Sequence, residues 1–179
     1  MTSGSIPRRY ARALLAIGAE TKLYEKFGLE LDQLAGLLQH KELRNALTNP
    51  SILQSRRRAI MEQLISRAQP TPTVRSFVLL LVDRNRAELL PDIAREYRAL
   101  ADAHAGRVRA SVTTAEPLDG EATARLKRAL EQKTNKQVIL EQRTDPDLIA
   151  GMVTQIGSIV YDGSIRTRLA QLRQTLLGD

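Results

Sequence analysis

The chain has 179 residues, 42% of them apolar, and a formal net charge of +7 in which arginine far outnumbers lysine. That is enough apolar material to bury a core in one large or two small domains, and the positive balance favours acidic partners, nucleic acid or a membrane face. Cysteine is absent, which excludes disulfides, thiolate metal sites and a cysteine nucleophile, and no apolar run approaches the roughly 20 residues of a membrane span.

Aromatic residues make up 3% and tryptophan is absent, so the core must be built mainly of Leu, Ile, Val and Ala, a set that leans helical. The arginine-bearing start, MTSGSIPRRYARALL, has some features of a transit peptide. Glu20 and the next helical pattern follow it without a cleavage-like break, so a first structural helix is expected from Pro7 to about Lys22. Its two apolar stripes, Tyr10/Leu14/Ile17 and Ala11/Leu15/Gly18, are wide enough to meet two neighbours. Phe27, Leu31, Leu34 and Leu38 then mark a second helix, Leu23 to Leu38. A short third helix, Lys41 to Leu47, ends at Asn49-Pro50, because proline disfavours the α region for its predecessor. A fourth runs from about Ser55 to Ala68, with Ile60, Leu64 and Ala68 recurring.

Pro70 and Pro72 break the chain before a fifth helix. Thr73 is its expected N-cap, and Val74, Phe77, Val78, Leu81 and Val82 are its inward residues. This is the most apolar helix. A sixth begins near Pro91, carries Ile93, Tyr97, Leu100 and His104 on one face, and stops at Gly106. The period then changes to two: Val108, Ala110, Val112 and Thr114 alternate with polar residues, which is a half-buried strand. Asp119 caps a helix to about Lys133 with Ala122, Leu126 and Leu130 apolar, and KQVILEQRT is a second strand. GMVTQIGSIVYDGS reads as a hairpin, with Val153 and Ile156 on one arm, Ile159 and Tyr161 on the other, and Gly157-Ser158 at the turn. Asp162-Gly163 makes a second turn with a positive φ expected at Gly163. Ser164 caps a last helix with Ile165, Leu169, Leu172 and Leu176 inward. The expected fold is α+β, a six-helix bundle over residues 1–105 joined near His104 to Arg107 to a small α/β domain over residues 106–179.

Catalytic chemistry is poorly served. His40 and His104 lack the i, i+4 spacing of a helical metal pair and sit in no nucleophile-and-base signature. A hydrolase would rest on nothing more than scattered Ser, Asp and His. Gly157 and Gly163 follow a strand but lack the lysine of a phosphate loop, so no nucleotide cofactor is expected. Asp145 and Asp147 are paired carboxylates, better explained as an Asp-Pro turn and a helical cap. The densest basic cluster, Arg56-Arg57-Arg58, could contact phosphates. It is expected to be a solvated face, with no aromatic residue interleaved for base stacking. A basic nucleic-acid-binding protein is the alternative that the charge leaves open.

The segment DPDLIAGMVTQIGSIVYDGSIRTRLAQLRQTLL resembles the C-terminal signature of the delta subunit of F-type ATP synthases, whose mitochondrial counterpart is the oligomycin-sensitivity-conferring protein. Gly151, Ile156, Gly157, Ile159, Asp162, Gly163, Ser164, Arg166 and Leu169 occupy its pattern. RRYARALL and NRAELLPDIAREYRAL resemble the opening helix and the sixth-helix region of the same family. The resemblance implies a non-catalytic stator subunit without cofactor, one copy per complex. Its helical bundle would bind the N-terminal helices of alpha subunits on the catalytic head, and its C-terminal domain the b subunits of the peripheral stalk. It also implies a peripheral place on the cytoplasmic face of the bacterial plasma membrane, with no insertion into the bilayer and no nucleic acid. A groove between the first and fifth helices could take an amphipathic helix, with Tyr10, Ala13, Leu14, Phe77, Leu80 and Leu81 as candidate facing residues. At least half of these six are expected to be ordinary core.

Overall fold

The computed structural model describes residues 5–49, 51–146, 148, 151–157 and 159–163. The fold is mixed α+β and the chain divides into two compact units, Met1–Ala101 and Asp102–Asp179.

The first unit is helical. It contains α1 (Ser5–Glu20), α2 (Tyr24–Leu37), α3 (Lys41–Thr48), α4 (Gln54–Ala68), α5 (Pro72–Asp83), a single 3₁₀ turn (Ala87–Leu89) and α6 (Leu90–His104), whose end lies beyond Ala101. Its core draws on most of these helices, with Leu14, Phe27, Leu31, Val78, Leu81, Ile93 and Tyr97 all buried. The approach of α1 to α2 depends on Gly18. A Cβ there would come within 2.9 Å of the Tyr24 Cα and 3.0 Å of the Tyr97 hydroxyl. That hydroxyl donates to the Tyr24 carbonyl at 2.9 Å, which satisfies a polar tip in an otherwise apolar setting. Burial pushes the Tyr97 phenol well above its usual range, because the ionised form loses its hydration.

Two expectations need correction in this unit. The N-cap of α5 is Thr71, not Thr73, and Pro72 is part of the first turn. Proline suits that position, since its missing N–H would have no intrahelical acceptor. Thr71 turns its hydroxyl outward from the helix: both its N–H (2.9 Å) and its Oγ (2.8 Å) donate to one carboxylate oxygen of Glu30. That ties the start of α5 to the middle of α2 and gives the buried Glu30 its partners. In α4 the buried row is Arg57, Met61 and Ile65, while Ile60, Leu64 and Ala68 are half-buried flanks. Both rows have helical spacing, and because arginine seldom enters a core spacing alone points to the apolar row as the inner face.

In the second unit β1 (Arg107–Thr114), α7 (Gly120–Thr134), β2 (Gln137–Thr144), β3 (Met152–Ile156) and β4 (Ile159–Asp162) form a sheet in the order β2-β1-β3-β4. β1 and β2 are parallel, as a helix crossover requires, whereas β3 pairs antiparallel with both β1 and β4. The register sets Val108 opposite Val138, and Ala110 between Leu140 and Ile156. Buried Ala110, Leu130 and Val138 form one cluster, flanked by half-buried Val108, Leu126, Leu140 and Ile156. Asp119 caps α7 as expected, its Oδ1 accepting from the Ala122 N–H at 2.6 Å, and Gly106 lies beyond α6 at φ +67°.

Gly163 does not adopt the expected positive φ; among the described glycines that conformation belongs to Gly106, Gly151 and Gly157. The Gly163 N–H instead donates to the Met152 carbonyl at 2.9 Å, extending the β3–β4 pairing by one residue. A Cβ at Gly163 would come within 3.3 Å of that same carbonyl oxygen, so close approach of backbone is the reason for glycine there. The last helix, with Ser164, Arg166 and the inward Ile165, Leu169, Leu172 and Leu176, lies outside the described residues, as does Asp147.

Candidate partner-binding sites

The six residues expected along the first and fifth helices separate into two groups. Leu14 and Leu81 are fully buried and belong to the core. Tyr10 and Phe77 are half-buried, and Ala13 and Leu80 are exposed. Tyr10 on α1 meets Phe77 on α5 edge to face, ring centroids 6.0 Å apart, a favoured arrangement for two aromatic quadrupoles. Arg86, in the loop after α5, donates to the Tyr10 hydroxyl at 2.6 Å and sets its guanidinium 5.6 Å from the ring centroid. Nothing in the local sequence marked Arg86, because its partner lies far back in the chain. Ile17, one turn beyond Ala13, is 44% exposed, and Leu80 is 42% exposed. α1 and α5 thus carry large apolar side chains in water beside a pinned aromatic pair. Ala13/Ile17 and Phe77/Leu80 have the i, i+4 and i, i+3 spacings that put side chains on one helix face.

In the second unit the signature residues gather at β3 and β4. Gly151 enters β3 at φ +96° and Gly157 turns the hairpin at φ +59°, with Ile156 opposite Ile159 and Val153 opposite Asp162. Ser164 and Arg166 are outside the described residues. Among the described residues β4 has no further strand neighbour, and its Ile159 and Val160 are each 56% exposed. An apolar edge strand is a template for another chain unless it is covered. Lys133, from the end of α7, places its ammonium 4.1 Å from the Tyr161 ring centroid, a cation–π contact that fixes the ring at this edge.

β1 is held from the other direction by charge. Asp102, buried in the last turn of α6, accepts from the Arg109 Nε at 2.6 Å and lies 3.5 Å from the Arg107 Nε; Arg109 reaches on to Glu141 at 2.9 Å. Burial lowers the basicity of Arg109, but its hydrogen bonds to Asp102 and Glu141 outweigh this and raise it overall.

The arginine triplet is not the solvated face expected of it. Arg58 bonds Asp83 at 2.5 Å and Glu62 at 3.2 Å, and the hydrogen bond and charge of Asp83 raise its basicity. Arg57 is buried, and only Arg56 is fully in solvent. Nothing in this arrangement supports a nucleic-acid platform. Asp145 engages its N–H with the Thr114 carbonyl and accepts from the Leu148 N–H through its own, as a turn residue does. Among the described residues no group of three acidic, His or Cys side chains could hold a metal ion.

The sequence matches the family described as ATP synthase delta (OSCP) subunit over residues 6–176. Curated proteins named ATP synthase subunit delta align over nearly their whole length. That of Trichlorobacter lovleyi is 43% identical over 177 residues, covering 98% of each chain. That of Anaeromyxobacter dehalogenans is 44% identical over 177 residues, covering 98% of this chain and 99% of its own. That of Syntrophus aciditrophicus is 40% identical over 180 residues, covering 100% and 99%. A chain in the cryo-EM structure of the Toxoplasma gondii mitochondrial ATP synthase hexamer shares the fold, with a TM-score of 0.75 at 22% identity over 97% of this chain and 98% of that one.

Proposed function

Since the chain belongs to the ATP synthase delta (OSCP) subunit family, and so is a non-catalytic, stator-linking subunit of an F-type ATP synthase, we propose which of its surfaces grips which neighbour. The helical part, a six-helix bundle over residues 1–105, takes the N-terminal helices of alpha subunits on the catalytic head. The part over residues 106–179 takes the b subunits of the peripheral stalk. One copy serves each complex, at the cytoplasmic face of the bacterial plasma membrane. No described helix is long and apolar enough to cross that membrane.

The observation that carries the head contact is the exposed apolar face of α1 and α5. Ala13, Ile17 and Leu80 are exposed on the two helices that the Tyr10–Phe77 pair joins, where an amphipathic helix can lay its i, i+3, i+4 and i+7 anchors. The stalk contact is supported by the exposed apolar residues Ile159 and Val160 of β4. Two moderate contacts on one chain reinforce each other through effective concentration, so the joint outlasts either alone and resists the torque of the turning shaft.

Leu80→Asp tests the first contact with little disturbance of the core, because Leu80 is 42% exposed and lies outside the buried cluster. A head preparation lacking this subunit should co-elute with the wild-type chain and bind Leu80→Asp at least about tenfold more weakly, since a charge would be desolvated in the contact. Equal affinity of the two proteins would move the head contact to another face.

A further inference from the structure

Arg57 is the least comfortable side chain in the helical unit. It is 8% exposed, its Nε is buried without a hydrogen-bond partner, and the guanidinium has no ion-pair partner among the described residues. A buried guanidinium that closes no ion pair and leaves its Nε unbonded is costly. Its position adds to the cost. Arg57 lies in the first turn of α4, where the helix dipole is positive; that turn has no acidic residue, and the Leu53 N-cap offers no side-chain acceptor.

The guanidinium does have space beside it. Arg57 lines a cavity of about 250 Å³ with Leu47, Thr48, Asn85, Ala87 and Glu88. These come from the end of α3, the start of α4, the loop after α5 and the 3₁₀ turn. Asn85 is held at φ +54°, a conformation asparagine tolerates better than most residues. The Thr48 hydroxyl already donates to the Arg44 carbonyl at 2.9 Å, leaving the Asn85 amide as the neutral donor of the cavity.

We propose that this cavity binds a small oxyanion, a phosphate or a carboxylate, on the Arg57 fork. Guanidinium matches both groups with parallel N–H donors, and the positive end of α4 adds to the attraction. Glu88 also lines the cavity without closing an ion pair to Arg57, so its negative charge competes with an incoming anion for the guanidinium and weakens the binding. The site needs neither the head nor the stalk, and its existence is independent of the connector reading.

The test uses the full chain at fixed ionic strength in a buffer free of both anions, titrated separately with inorganic phosphate and acetate by calorimetry. Saturable one-to-one binding of at least one of them is expected, and the one that saturates identifies the favoured geometry. Arg57→Met should abolish that binding. Glu88→Gln, at an exposed position that leaves the core untouched, should tighten it several-fold. The proposal is overturned if neither anion gives saturable binding to the wild-type chain, or if Arg57→Met binds as the wild type does. Should Arg57→Met not fold, unchanged affinity in Glu88→Gln overturns it equally.

Discussion

In the helical unit a buried side chain is surrounded by other buried side chains. Phe27, Leu31, Tyr97, Val78 and Leu81 come from α2, α5 and α6 and share one core. In the sheet unit the fully covered residues described are few and small, chiefly Ala110, Val112, Leu130 and Val138. There β1 is also tied by charged groups, Asp102 to Arg107 and Arg109, and Arg109 to Glu141 on β2. The difference is one of currency. A packed core resists deformation through excluded volume and dispersion contacts at close-packed density, whereas an ion-paired sheet resists through directional bonds whose strength depends on solvation and salt. Two elements of one connector can therefore be stiff for unlike physical reasons.

The largest blow to that contrast comes from the core. Phe27→Ala should destabilise the helical unit by about 3–5 kcal/mol, transfer and cavity terms together, read from chemical denaturation followed by circular dichroism; a loss below about 1 kcal/mol would mean the core collapses to fill the gap. In the sheet unit, Asp102→Ala removes the acceptor of Arg109 and the counter-charge of Arg107 and should cost about 2 kcal/mol. Faster amide exchange along β1 is the readout, and unchanged protection would show that the backbone ladder holds this strand without help.

A pH series sharpens the comparison from the helical side. The Tyr97 phenol titrates higher folded than unfolded, so its contribution is fully present below about pH 10, the unfolded value. It is lost as pH rises from there toward the folded value. Tyr97→Phe should cost about 1 kcal/mol at neutral pH through the hydrogen bond to the Tyr24 carbonyl and should flatten the alkaline decline. An equally steep decline in the variant would assign it to other groups. The smallest effect is expected in the hairpin. Gly157→Ala has open space for its Cβ but a φ of +59°, so it should cost about 1 kcal/mol, the lower end of the left-handed penalty for a residue with a Cβ, visible as a small drop in melting temperature.

Helix periodicity was legible because apolar spacing records burial directly: Phe27, Leu31, Leu34 and Leu38 recur along the second helix and all are buried. The β1 alternation and the Asp119 cap were legible for the same local reason. What escaped the sequence depends on partners distant in the chain. Thr71 rather than Thr73 caps α5 because Glu30 is there to receive it. Arg57 is drawn inside by the packing of α4, against its own preference. Gly163 is set by the Met152 carbonyl across a hairpin, not by a turn. At the α1–α5 face, spacing nominated six residues but could not tell Leu14 and Leu81, which the core claims, from Ala13 and Leu80, which it leaves in water. Exposure is a property of the assembled unit. Lys22 and Gln69 make the same point at helix ends, with positive φ at residues other than the usual Gly or Asn.

The bond between Glu30 and Thr71 also bears on how the polypeptide is born. Synthesis delivers the carboxylate well before its donors, and until they emerge an early cluster of N-terminal helices could close only by shutting an unneutralised anion away from water. Premature closure is thereby penalised. Closing the early helices around Glu30 therefore costs more before the fifth helix arrives than after it.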